Sequence, residues 1–267
     1  MTLHTDLRTR ALALAAVLAV AAAGSAAGET VTKTLQKDYP LAAGGEVRVE
    51  NTNGAIVVET WDRPEVRVRA TKKVRAGSPE AAAEIMERLR VRVETGTDRL
   101  HVSTGRNDFD QGFFAWLRGQ AANASVSYHL IVPRGIRLVA ETVNGAVTLD
   151  GVDGDFVAST TNGAIKVDDA RGRVDASTTN GSISVDMAEV APDADLDFST
   201  TNGAVTVSLP EDVRTDLRLR TTNGGIKVDL PVEVTTQSRR RLDGSINGGG
   251  GSLRVETTNG SIRIRRS

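Results

Sequence analysis

Thr160-Thr161-Asn162-Gly163-Ala164-Ile165-Lys166-Val167 is one copy of a phrase that this chain repeats. Thr-Thr-Asn-Gly stands whole at Thr160–Gly163, Thr178–Gly181, Thr200–Gly203, Thr221–Gly224 and Thr257–Gly260. Thr142-Val143-Asn144-Gly145 opens the series, and Asn51-Thr52-Asn53-Gly54 is a distant outlier near the N-terminus. After each Asn-Gly comes a small residue, then an alternating pair of large aliphatics. The pairs are Val147/Leu149, Ile165/Val167, Ile183/Val185, Val205/Val207, Ile226/Val228 and Ile262/Ile264. A repeat of this kind constrains architecture before any other signal is read.

From Asn144 to Asn259 the Asn-Gly steps are 18, 18, 22, 21 and 36 residues apart. The last step is about two periods, which predicts one rung without its signature around Asp243-Gly244-Ser245-Ile246 and Gly248–Gly251. Asn-Gly takes positive φ readily, so each copy is expected to mark a sharp turn. Two architectures accommodate such turns. In a meander of hairpins, successive tips on one edge lie two strands apart, about 10 Å. They do not touch, and nothing requires both threonines to recur. In a β-solenoid each turn lies on the next at about 4.8 Å. Threonine then meets threonine and asparagine meets asparagine, so identity at non-glycine positions is expected. The solenoid is the reading adopted, right-handed by the usual crossover preference.

The other half of each period agrees. Phe156/Ala158, Val174/Ala176, Leu196/Phe198, Leu217/Leu219 and Leu253/Val255 alternate with polar residues just before the next corner. Period 2 places these pairs on one face. Thr148, Lys166, Ser184, Thr206, Lys227 and Arg263 fall on the opposite, solvent face. A core made this way is continuous along the stack, and no single coil buries it alone.

Aromatic residues are only 3% of the chain, which suits a narrow interior of Val, Ile, Leu and Ala. With 33 basic and 34 acidic residues the net charge is −1. Nothing in that balance points to nucleic acid. Residues 1–27 read as a secretory signal peptide: Arg8 and Arg10 precede the apolar run Ala11–Ala23, and Ser25-Ala26-Ala27 is a small-residue cleavage site. The alternative for that segment is an uncleaved anchor. Localisation is therefore expected to be the periplasm, the cell surface or the medium. There is no cysteine, so disulfides are excluded.

Two further regions follow. Residues 28–125 form an N-terminal β region and 126–267 the repeat solenoid. Within the first, Glu46–Glu50, Ile56–Thr60, Val66–Thr71, Val91–Glu94 and Arg99–Ser103 have strand patterns after a short polar start. Ser78-Pro79 is an N-cap with proline at the first helical position, so residues 79–90 are expected to be a short amphipathic helix carrying Ile85 and Leu89. Between residues 105 and 123 the pattern breaks. Phe109, Phe113, Phe114 and Trp116 there are four of the nine aromatic residues in the chain.

Val132-Pro133-Arg134-Gly135, then Leu138-Val139-Ala140-Glu141-Thr142-Val143-Asn144-Gly145, then repeated Thr-x-Asn-Gly coils, together resemble the bacterial putative-adhesin domain family of unknown function. Gly44-Gly45-Glu46-Val47 and Asn53-Gly54-Ala55-Ile56-Val57-Val58 resemble its opening strands. The resemblance runs from about Thr30 to Ile264 and implies an exported β-helical domain. It transfers no catalytic residue.

The remaining constellations each have two readings. Asp150, Asp153, Asp155, Asp168, Asp169, Asp193, Asp195 and Asp197 cluster at the corner opposite Asn-Gly. They suit calcium or paired-acid chemistry, but aspartate and glycine are also ordinary turn residues, and the latter reading is preferred. His101 and His129 fall in strand patterns, so no metal set and no cofactor is assigned. Gly248–Gly251 reads as a flexible linker. Arg239–Arg241 with Arg263, Arg265 and Arg266 are a solvated end cap or a surface for lipid headgroups, an acidic polymer or a protein. Phe113, Phe114 and Trp116 are the candidate partner-binding residues: exposed, they mark a protein or membrane-surface contact, and folded back they plug an open end of the stack.

The functional reading is an exported, non-enzymatic, adhesin-like binding or structural module of the bacterial cell envelope, with a protein or glycan partner. The alternatives are a polysaccharide-active β-helix enzyme and a periplasmic sensor or envelope-maintenance partner.

Overall fold

The computed structural model describes residues 29–104 and 123–267. In chain order its elements begin with β1 (Glu29–Pro40), β2 (Glu46–Glu50), β3 (Ile56–Trp61), β4 (Glu65–Ala76), α1 (Pro79–Arg88), β5 (Val91–Thr95) and β6 (Arg99–Thr104). Then come β7 (Asn123–Pro133), β8 (Ile136–Asn144), β9 (Val147–Asp150), β10 (Asp153–Asn162), β11 (Ile165–Asn180), β12 (Ile183–Glu189), β13 (Leu196–Asn202) and β14 (Val205–Leu209). The last six are β15 (Thr215–Asn223), β16 (Ile226–Val228), β17 (Glu233–Ser238), β18 (Arg241–Ile246), β19 (Gly251–Asn259) and β20 (Ile262–Arg266). The described chain is thus all-β with one short helix.

Each Asn-Gly ends a strand of one wall and opens a strand of a second. The corners stack: Asn162 pairs in register with Asn144 on one side and Asn180 on the other, and Asn180 with Asn202. The first wall runs β6, β2, β8, β10, the second half of β11, β13, β19, β15, all parallel. The second wall runs β7, β3, β9, the first half of β11, β12, β14, β20, β16, also parallel. This is a β-solenoid-like stack and excludes the meander.

The predicted inward pairs do line it. Leu138, Phe156, Val174 and Leu196 form one buried column, and Val147, Ile165, Ile183 and Val205 face them from the second wall. Each such side chain contributes about 1.5–3 kcal/mol on burial, shared between neighbouring rungs. Ile226 and Val228 differ, being only half-buried, because β16 pairs on one side alone and ends the second wall.

Four expectations change. Asn51-Thr52-Asn53-Gly54 is no outlier, since Asn53 bridges Asn144 and its strands β2 and β3 make the rung beneath β8 and β9. The 36-residue step contains no rung without a signature. It contains β17 and β18, an antiparallel hairpin that pairs β18 against β15. The chain then doubles back, and β19 enters between β13 and β15. The Asn order along the stack is therefore 53, 144, 162, 180, 202, 259, 223. Third, Gly248–Gly251 is not a linker hanging in solvent. A Cβ at Gly250 would stand 2.6 Å from the Pro192 carbonyl oxygen and 2.7 Å from that of Arg214, and one at Gly251 only 2.1 Å from that of Ala194. Gly250 and Gly251 thread a gap too narrow for side chains, whereas Gly248 meets nothing within 4 Å. Fourth, the polar start is a 12-residue strand, β1, paired along its length with β4. In its Lys-Thr-rich sequence the apolar side is thin: Val31 and Tyr39 pack against the core, while Leu35 between them is exposed.

The helix caps the N-terminal end. Ser78 accepts from the Ala81 N–H at 3.2 Å and Pro79 holds the first turn. Ala82, Ile85 and Met86 are buried as α1 packs on β4 and β1. It ends at Arg88 rather than 90 because Leu89 turns extended (φ −74, ψ 95) and buries its side chain.

Candidate functional site: the Asn-Gly corner and its flanks

The four signature residues have different tasks. Alternation carries the inward parity of Phe156 and Ala158 on to Thr160, which is buried. Its hydroxyl donates to the Gly145 carbonyl of the neighbouring rung at 2.9 Å. Thr178 does the same to Gly163, Thr200 to Gly181, Thr257 to Gly203 and Thr221 to Gly260, at 2.8–3.0 Å. Asparagine makes a ladder. Asn144, Asn162, Asn180, Asn202, Asn259 and Asn223 each donate Nδ2–H to the Oδ1 of the rung before, at 2.7–2.9 Å. Asn53 takes the first of these bonds.

Glycine is required for closeness rather than for positive φ. Of the corner glycines only Gly54 lies at positive φ (126°). A Cβ on Gly163, Gly181, Gly203, Gly224 or Gly260 would fall 1.9–2.0 Å from the glycine carbonyl oxygen of the adjacent rung. That oxygen is the acceptor for the buried threonine, so glycine and threonine serve one contact.

The second threonine is left over. Thr161, Thr179, Thr201, Thr222 and Thr258 point away from the core and are exposed. They form a row of hydroxyls along the outside of the corner, beside the amide ladder. The repeat itself announced this column; the parity that separates it from its buried neighbour was present in Ala158-x-Thr160 and Ala176-x-Thr178.

At the Asn53 end the corner is replaced. Thr104 follows Ser103, the register partner of Glu50, so it lies opposite Asn51. Val126 donates its N–H to the Asn53 carbonyl at 2.8 Å, the position Gly54 takes toward Asn144. The chain between these points includes Phe113, Phe114 and Trp116, which lie outside the described residues. The flanks are tied together: the Thr104 and Tyr128 hydroxyls are hydrogen-bonded in the interior. Burial pushes the Tyr128 phenol up to about 12, against the opposing effect of the Thr104 hydroxyl. Asn51 stands where other rungs have threonine, and its Nδ2 bonds the Gly54 and Val126 carbonyls at 3.0 and 2.7 Å.

The other candidates are dispersed. His101 is in β6 of the first wall, 3.7 Å from Glu50 and 3.8 Å from Glu94; His129 is in β7 of the second wall, 3.2 Å from Glu59. Among the described residues no group of three or more His, Asp or Glu is placed to hold a metal. Three of the candidate aspartates are engaged within the fold. Asp168 pairs with Lys166 at 2.5 Å, Asp169 with Arg171 at 3.2 Å, and Asp195 accepts from the Ser252 hydroxyl at 2.6 Å. Asp175 and Asp197 are register neighbours on the exposed side of the first wall. Partial desolvation against the sheet raises the pKa of both, helped at Asp197 by the Asp175 charge and opposed by Arg254 at 3.9 Å.

Of the arginines, Arg239 and Arg240 form the exposed tip of the β17–β18 hairpin, while Arg241 pairs with Asp243 at 2.7 Å. Arg220 reaches the same carboxylate at 2.6 Å, and together these guanidinium groups hold Asp243 below the usual carboxylate range. Arg263, Arg265 and Arg266 are elsewhere, on β20, one rung in from the end.

Residues 121–265 match the family model described as Toastrack DUF4097. No curated protein is similar enough to match. Solved structures with some likeness include a putative cell adhesion protein from Clostridium sporogenes ATCC 15579, with TM-score 0.48 and 10% identity over 88% of this chain and 100% of that one. A putative adhesin from Bacteroides fragilis NCTC 9343 gives 0.33 and 10% over 87% and 97%. A putative lipid binding protein from Parabacteroides distasonis ATCC 8503 gives 0.27 and 9% over 86% and 96%. Likenesses this distant decide neither partner nor activity. The family match covers more than half of the chain and takes in every Asn-Gly corner except the first, and on that ground the chain belongs to the Toastrack DUF4097 family.

Proposed function

We propose that this chain is an exported, non-enzymatic, adhesin-like binding module of the bacterial cell envelope. Its stack is a right-handed helix of coils of about 18–22 residues, and its outer corner is the surface offered to a glycan or protein partner. One observation carries the reading. Burial, ladder bonds and close approach account for the first threonine, the asparagine and the glycine, and none of them accounts for the exposed row Thr161, Thr179, Thr201, Thr222, Thr258. A row of hydroxyls at about 4.8 Å spacing suits an extended ligand that repeats its own hydroxyl groups. Each contact is weak, and a rigid array adds them without further ordering of the protein.

Residues 1–27 are taken as the export signal. Phe113, Phe114 and Trp116 are proposed to add an apolar contact for that partner.

The test replaces Thr161, Thr179 and Thr201 together with valine, which keeps the branched shape and removes the hydroxyl. Retention on immobilised envelope polysaccharide should fall about tenfold or more, equivalent to ~1.4 kcal/mol, with the circular dichroism and melting temperature unchanged. Unaltered retention defeats the ridge as binding surface. New reducing ends on the polysaccharide would instead make the protein an enzyme.

A further inference from the structure

The C-terminal coil is a wedge. Rungs β13–β14 and β15–β16 are consecutive in sequence but not in space, because β19–β20 lies between them on both walls. Every other corner in the 144–202 series stacks on its immediate predecessor in the chain. Yet β15–β16 carries the same features that make those rungs stack directly. Leu217, Leu219, Thr221, Asn223 and Gly224 would meet Leu196, Phe198, Thr200, Asn202 and Gly203 as well as they meet the wedge. The slot between 196–209 and 215–228 therefore exists only because something of the same form fills it.

The wedge is attached by a single thread. After β18 the chain reverses through Asn247, Gly248 and Gly249, with φ of 50°, 81° and 79°. Asn247 latches this turn through Nδ2 to the Glu211 and Val213 carbonyls at 3.1 and 2.8 Å. Beyond it the contacts that seat the wedge are made mainly to the two rungs on either side, and the Ser267 hydroxyl reaches one rung further, to the Asp186 carboxylate at 3.0 Å and the Met187 carbonyl at 3.4 Å in β12. Asn259 donates to Asn202 and accepts from Asn223; Thr257 bonds Gly203 and Gly260 accepts from Thr221. Arg265 bonds the Ser208 hydroxyl at 2.8 Å, and the Gly251 N–H bonds the Pro192 carbonyl at 2.6 Å. None of these contacts depends on the wedge belonging to the same chain. Only the glycine turn does, and glycine reopens to an extended linker at little conformational cost.

We infer that the slot is an exchange site for the C-terminal coil of a second copy of this chain, Gly250–Ser267, so that two molecules trade wedges and close a two-fold dimer. The interior of each half is unchanged by the trade. What differs is the 247–249 turn and any new contact between the two bodies. No covalent chemistry is involved. Exchange requires the wedge to leave or to arrive late, and it follows 249 residues of chain that contain both sides of its slot, β13–β14 and β15–β16.

The chain has no cysteine, which makes the trade directly visible. Thr206 and Arg263 are register neighbours on the outer side of β14 and β20. In the full chain carrying T206C and R263C, a short bis-maleimide joins the two thiols within one molecule if the wedge is its own. If wedges are traded it joins two molecules. Refolding at rising protein concentration should raise the covalent dimer fraction, with none from either single variant. A refolded protein showing only intrachain cross-links at every concentration overturns the proposal. Should the double variant not refold, unmodified chain in normal and isotopically heavy form is warmed together below its melting point. Mixed dimers in native mass spectrometry support exchange, and their absence overturns it.

Discussion

The rungs from β8 to β14 and the rungs from β15 to β20 are built from the same signature but assembled by different rules. In the central series each coil lies on the one made before it, and every corner repeats the same three contacts: threonine to glycine carbonyl, amide to amide, glycine to carbonyl. At the C-terminal end the same contacts recur, but between partners that sequence order does not name. Local chemistry therefore defines how a corner stacks and leaves open what it stacks on. Loop length, the hairpin and the glycine thread make that choice.

At the corner glycine the two regions agree. A Cβ on Gly224 of the last rung would stand 1.9 Å from the Gly260 carbonyl oxygen, as close as one on Gly181 to that of Gly163, so the test there compares positions within the repeat. Gly181→Ala places a methyl 1.9 Å from the Gly163 carbonyl oxygen, in the middle of a column fixed on both sides. Backbone has to move through several rungs, and a cost of about 3 kcal/mol is expected, at the upper end for overpacking. Gly225→Ala, one position past the corner glycine, where other rungs carry Ala164, Ser182 or Ala204, meets nothing within 4 Å. That change should leave the denaturant midpoint within experimental error. If both substitutions cost the same, close approach is not what the repeat glycine provides. The asparagine ladder gives a smaller version of the comparison. Asn180 both donates to Asn162 and accepts from Asn202, whereas Asn223 donates to Asn259 at the end of the row. At about 0.5–1.5 kcal/mol per bond net, Asn180→Ala should lower stability about twice as much as Asn223→Ala in urea unfolding. Equal losses would mean that the ladder adds nothing cooperative to the stack.

What the amino-acid order revealed follows from the same distinction. Phe156-x-Ala158 and Ile165-x-Val167 disclose which side of a strand is buried because alternation is local, and the stacking of asparagines is legible because an identical residue recurs where propensity alone asks only for a turn former. The wedge is not legible. Leu253-x-Val255 and Ile262-x-Ile264 fit either neighbour, so hydrophobic pattern is blind to the order of rungs. The glycine run read as slack because a thread squeezed between two backbones and a flexible linker have the same composition. β1 is hard to read for another reason: it pairs by backbone with β4 as an edge strand, and among its hydrophobic side chains only Val31 and Tyr39 pack against the core, too few to show a period. At the corner, both threonines were seen as one unit, although the parity running from Ala176 to Thr178 already separates the buried hydroxyl from the exposed Thr179.

Charge separates the two regions in the opposite sense and gives the smallest effect. In the central rungs Asp197 lies beside Asp175, and partial desolvation together with that neighbour raises its pKa. At the end, Asp243 lies between Arg220 and Arg241, which lower its pKa. A raised carboxylate favours the folded state only below its unfolded value, near 3.8, and that contribution is lost as pH rises through the folded value. At neutral pH the charged Asp197 therefore works against the fold, and Asp197→Asn should stabilise slightly, within about 0.5 kcal/mol, with the gain vanishing on acidification. Asp243 has the reverse sign. Its contribution is present above 3.8 and is lost as pH falls through its lower folded value. Asp243→Asn should then destabilise at neutral pH by about 0.5–1 kcal/mol, in the range of exposed ion pairs, and the loss should shrink in acid and in high salt. Urea midpoints of both variants against the parent, measured at neutral pH and again near pH 3, read the two signs directly. Finding the same sign for both would mean that the central acidic rungs and the arginine-bearing end do not differ electrostatically as their geometry requires.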